Sequence, residues 1–221
     1  CALPILARIQ AAIGLLDQSP RQSPKRVTEL TARIEQESER LDSLVGEILT
    51  LSRLNEHDHQ KPDNSFDLND LLADLLVDAQ FEAQASGKWV TLIGEVKAPV
   101  FGDPGLIQRA CENLIRNAIR FSPESQTVEI TVTQAAPASE STHRWVSVQV
   151  CDRGPGLGEA ELQSVLEPFA RGRHTHADGF GLGLAIAHRA AQIHRGSLTL
   201  NNRSGGGLCA NFSWPGIDNH R

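Results

Sequence analysis

The feature that most constrains the fold of this sequence is a run of apolar residues at helical spacing between positions 27 and 51. Its members recur at alternating intervals of three and four residues, and Glu37 is the polar exception on the seam: Val27, Leu30, Ile34, Leu41, Leu44, Ile48 and Leu51. This alternation is typical of a coiled coil or a helical bundle. The segment is therefore predicted to be a long helix that packs against other helices.

A shorter helix is predicted before the seam. Leu6, Ile9, Ile13 and Leu16 are spaced three, four and three residues apart, and the sequence DQSPRQSP then interrupts the pattern with two prolines. Two antiparallel helices bury little apolar surface alone, so a four-helix bundle made by two copies is the natural completion. The alternative is a hairpin that packs on the rest of its own chain. A polar linker, 55–65, follows the hairpin.

From residue 66 the pattern mixes helices with short alternating strands. Helices are predicted within 66–87, 103–121, 159–167 and 181–196, and strands within 88–94, 98–102, 127–133, 144–151, 197–202 and 208–214. Interspersed helices and antiparallel strands favour a two-layer α/β sandwich. The predicted fold class is α+β, with a helical hairpin in domain 1–60 and the sandwich in domain 61–221.

Composition limits the partners and the compartment. The net charge of −6 over 221 residues argues against a nucleic-acid surface. The cysteines are scattered without a CxxC pair, which favours reduced thiols over disulfides or zinc: Cys1, Cys111, Cys151 and Cys209. No apolar run reaches the roughly 18 residues of a membrane span. The absence of methionine, even at position 1, indicates a processed or trimmed chain that could have lost a targeting or membrane segment.

Polar residues share one face of the predicted helix 103–121. Asn113, Arg116, Asn117 and Arg120 fall at positions i, i+3, i+4 and i+7, beside an apolar face. Amide oxygens next to guanidinium groups suit a phosphate ligand with Mg²⁺, which prefers hard oxygen ligands. A solvent-facing stripe is the alternative.

The sequence CDRGPGLG, 151–158, directly follows a predicted strand. Asp152 ends an apolar run, and a buried carboxylate needs a hydrogen-bond donor such as the amino group of a purine. Gly154 and Gly156 would let the backbone turn tightly and approach a flat ring. Asp-Gly clusters are also common in ordinary turns.

A second glycine-rich segment, DGFGLGLAIA, leads directly into a helix. Gly179, Gly181 and Gly183 alternate there, and the amide groups at a helix N-terminus attract anions. No Gly-Lys-Ser/Thr follows, so this is not a Walker A loop. The spacing also differs from the dinucleotide-binding GxGxxG pattern.

The order of these motifs is more specific than any one of them. An Asn-x-x-x-Asn helix, Asp-x-Gly-x-Gly, the sequence EPFARG and Gly-x-Gly-x-Gly before a helix resemble the N, G1, F and G2 boxes of the histidine-kinase ATP-binding domain. DNA gyrase, the Hsp90 chaperones and MutL share that superfamily. The resemblance covers about Phe66 to Trp214, and the hairpin resembles the family's dimerisation and phosphotransfer domain. The whole chain resembles the cytoplasmic core of a bacterial two-component sensor kinase, nearest the envelope-stress sensor type.

The resemblance implies a site for ATP and Mg²⁺. Asn117 would hold the Mg²⁺ ion, with Asn113 beside it, and Arg120 would reach the phosphates. Phe121 would pack near the nucleotide, and Asp152 would accept from the adenine amino group.

The remaining implied site residues lie in the loops. Phe169 and Arg171 would belong to a mobile lid. The glycine boxes would shape the adenine and triphosphate ends of the pocket: Gly154 and Gly156, then Gly181, Leu182 and Gly183. The implied partners are a second copy of the chain, bound through the hairpin, and the receiver domain of a response regulator.

The implied activity is phosphorylation of a histidine followed by transfer to an aspartate of the response regulator. The core would be cytoplasmic, and the full-length protein would lie in the bacterial inner membrane through segments absent from this chain. An ATP hydrolase is one alternative. Hydrolysing relatives carry a Glu four residues before the Mg²⁺-binding Asn, whereas this chain has Asn113, and Glu112 points about 100° away around the helix.

The first helix departs from the family pattern. Its box has the form His-Glu-Leu-Arg-Thr/Ser-Pro-Leu-x-Arg-Ile, and Leu6, Arg8 and Ile9 of CALPILARIQ match its end. Ile5 stands where the proline belongs and Cys1 where the glutamate belongs, so the phosphoacceptor histidine would precede residue 1. No catalytic residue is therefore assigned within the chain, which is expected to bind ATP without autophosphorylation. The further alternative is a dimeric scaffold, or pseudokinase, that binds nucleotide and transfers nothing.

Overall fold

The computed structural model describes residues 2–17, 24–56, 64–134, 143–170, 172 and 179–218. The chain divides into two compact units, Cys1–Ser52 and Arg53–Arg221. Among the described helices, none combines the length and the apolar character that crossing a membrane requires.

The first unit consists of helix α1, Ala2–Asp17, and most of helix α2, Pro24–Glu56. Glu37, the polar residue on the predicted seam, is buried and 3% exposed. Its Oε1 accepts hydrogen bonds from the guanidinium Nη1 atoms of Arg8 on α1, at 3.2 Å, and Arg40, at 3.0 Å. Burying a carboxylate costs free energy, and the two positive partners reduce that cost. An unpaired buried charge would be much less favourable.

The second unit combines helices with a large sheet. Its helices are α3 (Leu68–Ala85), α4 (Pro104–Phe121), α5 (Glu161–Ser164) and α6 (Gly183–Ile193). Its strands are β1 (Asn64–Phe66), β2 (Trp89–Ile93), β3 (Val100–Gly102), β4 (Thr127–Gln134), β5 (His143–Cys151), β6 (Ser197–Asn202) and β7 (Leu208–Asp218).

The main sheet has five strands in the order β2-β4-β5-β7-β6. Strand β2 is parallel to β4, and the other neighbours are antiparallel. Alternate residues such as Val128, Val148 and Phe212 are fully buried at 0% exposure, and they form one core with buried residues of α3, α4 and α6. Burial of every second residue along a strand is expected for a sheet that is covered on one face only. The predicted two-layer α/β sandwich is confirmed.

Local signals fix where α4 begins. Pro104 is its first residue, and the Asp103 Oδ1 caps the helix by accepting from the Leu106 amide at 3.1 Å. The Asp103 amide in turn donates to Nε2 of His194, at the end of α6, over 2.9 Å. The N-terminus of α4 is thus tied to the C-terminus of α6.

The predicted linker ends earlier than expected. Asn64 and Ser65 belong to strand β1, which pairs with β3 in a small antiparallel sheet. The polar composition of 55–65 concealed this strand, because its stability comes from pairing with residues 100–102 and not from its own sequence. Residues 57–63 lie outside the described part of the chain.

The prediction of reduced cysteines is wrong for Cys151 and Cys209, which form a disulfide. They are direct cross-strand partners on β5 and β7, with Cα atoms 4.1 Å apart. Their separation of 58 residues along the chain gives no hint of this pairing. Cys111 is a buried free thiol, and burial, with a smaller contribution from Glu112, raises its pKa to about 12.

Candidate functional site

The polar face of α4 supplies the first part of the site. Asn113, Asn117 and Arg120 are each half-buried along this face. The Arg120 guanidinium carbon lies 5.6 Å from the centroid of the Phe121 ring, within cation–π range. Arg116 instead approaches Glu82 of α3, at 3.8 Å. Three of the four side chains of the predicted stripe are therefore candidates for the site, and Arg116 is directed toward α3.

The second glycine-rich segment lies directly against this face. A methyl group at Gly183 would come within 2.7 Å of Asn113 Oδ1, and one at Gly179 would collide with the Arg120 guanidinium. A side chain at either position would have to displace the Asn113 or Arg120 side chain, and Gly179 also has φ of 148°, which favours glycine. The structure thus brings Asn113 and Arg120 together with the glycine-rich segment at the start of α6.

Helix α6 presents its N-terminus at this place. It begins at Gly183, and Leu182, at the N-cap position, provides no side-chain hydrogen bond to the first turn. The Leu182 side chain is fully buried and packs into the protein. Amide groups at such a helix end, together with the helix dipole, favour an anion.

Phe169 and Gly181 hold the neighbouring loop against this segment. The Phe169 amide donates to the Gly181 carbonyl over 2.8 Å, and both residues have left-handed backbones, with φ of 65° and 72°. For a phenylalanine this conformation costs about 1–3 kcal/mol. Its ring is 49% exposed. Arg171, the other predicted lid residue, lies outside the described residues.

Asp152 is the buried carboxylate of the site. It follows strand β5 and is 5% exposed. Its Oδ1 accepts from the amides of Gly154, at 2.7 Å, and Leu208, at 3.1 Å. Burial raises the pKa of Asp152, and the two amides and the Arg203 charge oppose that rise. Both of these hydrogen bonds use Oδ1, which leaves Oδ2, among the residues that the structure describes, to accept from a ligand.

The loop after Asp152 packs against the end of α4. A methyl group at Gly154 would lie 2.6 Å from the Phe121 carbonyl oxygen, so this glycine permits close contact with the helix. Gly156 has φ of 71° and packs against the Asn202 side chain. The loop that carries Asp152 therefore lies against Phe121, at the end of α4.

The β6–β7 hairpin also belongs to the site, and the sequence reading missed it. Asn202 clamps the loop by accepting from the Leu157 amide at 2.9 Å and donating to its carbonyl at 2.6 Å. Gly207 packs so closely on the Asp152 carbonyl that a methyl group there would collide with it. The signal available in the sequence was the glycine run 205–207, whose members all have positive φ.

A surface cavity of about 420 Å³ opens at the start of β4, and Arg153, next to Asp152, and Gly205 of the β6–β7 hairpin lie at its edge. Its lining includes Gln126, Glu129 and Arg153, and it includes neither Asp152 nor the polar face of α4. The candidate site is the region where glycine contacts bring Asn113, Arg120 and Phe121 of α4 against the two glycine-rich segments. Among the described residues, no cluster of three or more His, Cys, Asp or Glu side chains could hold a metal.

Comparison with known proteins identifies the family of this chain. Residues 102–217 match the family described as "Histidine kinase-, DNA gyrase B-, and HSP90-like ATPase". The sensor histidine kinase CpxA of Escherichia coli K12 is 31% identical over 207 residues, covering 92% of this chain and 42% of CpxA. The chain thus spans less than half the length of this curated relative.

Solved structures share the fold. The full-length structure of ShkA in complex with AMPPNP has a TM-score of 0.72 at 24% identity, and it covers 98% of this chain and 44% of that one. The cytoplasmic segment of the histidine kinase QseC has a TM-score of 0.52 at 27% identity, and it covers 80% and 93%. The resemblance to the core of a two-component sensor kinase is confirmed. On the match over 102–217, the chain belongs to the family of histidine kinase-, DNA gyrase B- and HSP90-like ATPases.

Proposed function

We propose that this chain binds ATP with Mg²⁺ and acts in a histidine kinase, which phosphorylates a histidine and passes the phosphoryl group to an aspartate of a response regulator. The observation that carries the proposal is the meeting of three elements. Asp152 lies against the end of α4 through Gly154, and the polar face of α4 lies against the start of α6 through Gly183.

Asp152 is suited to recognise adenine. An ionised carboxylate accepts hydrogen bonds only, and the exocyclic amino group of adenine donates them. The Gly154 and Leu208 amides fix the orientation of the carboxylate by binding Oδ1. A purine with a carbonyl oxygen at the same position would face a second acceptor, so the site should prefer adenine to guanine.

The polar face of α4 and the N-terminus of α6 are suited to the phosphates. Arg120 offers a guanidinium beside Gly179, and the first amides of α6 lie next to Asn113. The half-buried carboxamide of Asn117 provides the hard oxygen that Mg²⁺ prefers. When bound, Mg²⁺ would neutralise phosphate charge, and the residues of this chain would orient the nucleotide.

Phosphotransfer is favoured over hydrolysis by the residue at position 113. Asn113 is a poor proton acceptor, and its side-chain Nδ2 donates to the backbone carbonyl of Arg109 at 2.9 Å. The adjacent carboxylate of Glu112 accepts from Gln108 at 2.9 Å, along the exposed side of the helix. A base positioned to activate water is therefore not provided by either residue.

Asp152→Asn tests the nucleotide pocket. The introduced amide would point donors at the donor group of adenine, so ATP affinity should fall by about 1–3 kcal/mol, the cost of an unpaired buried polar group. Calorimetric titration with ATP and Mg²⁺ measures this change. Asp78→Asn, an exposed carboxylate on α3, is the matched control. Equal affinities for the wild type and Asp152→Asn would contradict the assignment of the adenine site.

A second copy of the chain is the partner that we propose for the helical unit. Several of its large apolar side chains are 42–50% exposed: Leu6, Ile13, Leu15, Val27, Val45, Ile48 and Leu49. Two of them, Val27 and Ile48, belong to the predicted seam. Pairing two hairpins into a four-helix bundle would cover this surface.

Labelling with γ-labelled ATP tests the transfer step. No histidine occurs within residues 1–56 of this polypeptide, so it should bind ATP without becoming labelled itself. It should label a supplied partner whose first helix carries the full histidine box, provided that the two form a mixed dimer. Acid-labile label on this polypeptide alone would show that another of its histidines is an acceptor.

The setting in the cell is also a proposal. The match to the cytoplasmic segment of QseC supports placing this chain on the cytoplasmic side of a membrane-anchored sensor. Its partner in transfer would be the receiver domain of a response regulator, as the two-component resemblance implies.

A further inference from the structure

The Cys151–Cys209 disulfide lies on the face of the sheet that the helices leave open. The preceding Val150 and the following Ala210 are buried in the core, at 2% and 7% exposure, and successive strand residues point to opposite faces. Cys151 is 7% exposed and Cys209 is half-buried. Cys209 is therefore the more exposed residue of the pair, and we take it as the one that a thiol from solvent reaches first.

Charged side chains surround the disulfide on this face. Glu129 is the direct partner of Cys151 on β4, and it pairs with Arg153 at 3.3 Å and Arg203 at 2.8 Å. The positive charge of the two guanidinium groups favours thiolates, the form in which cysteines and small thiols react, and the carboxylates of Glu129 and the adjacent Asp152 oppose this effect.

The disulfide is covalently adjacent to the proposed adenine site. Asp152 follows Cys151, and Leu208 precedes Cys209. The Asp152 amide donates to the Leu208 carbonyl at 2.9 Å, and the Leu208 amide donates to Asp152 Oδ1 at 3.1 Å. The disulfide therefore links β5 and β7 at the residue pair that adjoins Asp152 and Leu208.

We propose that Cys151 and Cys209 form a reversible thiol–disulfide site that couples the redox state of small thiols to nucleotide affinity. The proposal rests on the assignment of ATP to this pocket. With the disulfide formed, β5 and β7 are linked beside Asp152, and its carboxylate is held in place before the ligand arrives. With the disulfide reduced, ATP must also offset the freedom of these strand ends, which lowers its affinity.

The reaction consumes two equivalents of a monothiol such as glutathione. Its thiolate attacks the Cys209 sulfur, the bond between the two protein sulfurs breaks, and Cys151 leaves as a thiolate. A second thiolate attacks the outer sulfur of the mixed disulfide and releases Cys209. The two electrons come from the small thiols, which become one disulfide, and the reverse sequence with glutathione disulfide restores the bond.

Coupling between the two processes must be reciprocal. If the disulfide tightens ATP binding by a given factor, bound ATP must favour the disulfide over the dithiol by the same factor. The proposal therefore has two independent readouts, one in nucleotide affinity and one in the thiol–disulfide equilibrium.

The first experiment titrates ATP with Mg²⁺ into the full 221-residue chain after oxidation with glutathione disulfide or reduction with a phosphine. Reduction should weaken ATP binding by about five-fold or more, within the usual range of coupling between sites. Cys209→Ser should bind with the reduced affinity under both conditions. Cys1→Ser is the control, and it should respond to reduction as the wild type does.

The second experiment equilibrates the wild type in glutathione buffers and counts protein thiols with and without ATP. ATP should shift the midpoint toward more reducing buffers by the factor found in the titration, a result that does not depend on any substitution. Equal ATP affinity in both redox states, or no shift with ATP, would overturn the inference and leave the ATP site intact. Absence of ATP binding in both states would overturn the proposed function and the inference together.

Discussion

The helical unit and the sandwich unit bury their apolar residues in different ways. In the sandwich, Phe212, Val128 and Ile107 are fully buried within one chain. In the helical unit, Leu44 is buried, whereas Val27 and Ile48 of the same predicted seam are each 42% exposed. The sandwich thus closes its own core, and the hairpin leaves an apolar surface for which a second copy is the proposed partner.

The largest effect is expected from opening the sandwich core. Phe212 is 0% exposed, and its ring lies 5.0 Å from that of Trp214. Phe212→Ala should lower the free energy of unfolding by about 3–5 kcal/mol, because it removes a large buried ring and leaves a cavity. Trp89, Trp145 and Trp214 all lie in this unit, so tryptophan fluorescence in denaturant measures its unfolding alone.

The matched control for the core is Trp145→Ala. Trp145 lies on β5 but is 40% exposed, and its loss should cost less than that of Phe212. If the two variants were equally destabilised, the contrast between a closed core and an open face would not describe this sheet.

Ile48→Glu should affect association and not folding. Ile48 is exposed in the single chain, but in a four-helix bundle the new carboxylate would be buried without a partner, which costs several kcal/mol. Light scattering should therefore show a monomer for Ile48→Glu and a dimer for the wild type, with the fluorescence unfolding curve of the sandwich unchanged.

Ser43→Glu is the control for the bundle. Ser43 is exposed on α2 and lies about 200° around the helix from the seam residue Leu41. This variant should remain dimeric. A fragment starting at Ser65 should be monomeric, and a dimeric fragment would move the interface into the sandwich.

Features that depend on neighbouring residues in the sequence were predictable here. The seam of α2, the Asp103 cap of α4 and the glycines before α6 each carry their signal within a few positions. The resemblance carried by the order of the boxes implied that Asp152 and the α4 residues belong to one site, and this stays a prediction. Gly154 permits the close approach of the loop 151–158 to the Phe121 carbonyl at the end of α4.

Features that depend on the register of distant strands were not predictable. The Cys151–Cys209 bond and the hydrogen bond from Leu208 to Asp152 both require β7 to pair with β5 at one particular register. A shift of one residue would move every side chain to the other face. The residues within 151–158 and 208–214 do not indicate this register. Strand β1 was not predicted for the same reason, since it is defined only by its pairing with β3.

The smallest effect expected is a dependence of sandwich stability on pH through His194. This ring is 6% exposed; its Nδ1 donates to the Ala190 carbonyl at 2.7 Å, and its Nε2 accepts from the Asp103 amide at 2.9 Å. A protonated ring could not accept from Asp103. Burial lowers the pKa of His194 below its usual value of 6.5, although Ala190 and Asp103 oppose the shift.

Because the folded-state pKa is lowered, the unfolded chain binds more protons below pH 6.5 than the folded chain does. The contribution of the neutral His194 ring to the free energy of unfolding is complete above pH 6.5. It is lost as the pH falls through the folded-state pKa of this ring. Fluorescence unfolding curves between pH 7.5 and 5 should show this decline in the wild type, and His194→Gln should be less stable at pH 7.5 but have a flatter profile. His188→Gln, at a half-exposed position of α6, should keep the wild-type slope. If His194→Gln kept that slope as well, the link between α4 and α6 through this ring would not be the source of the pH dependence.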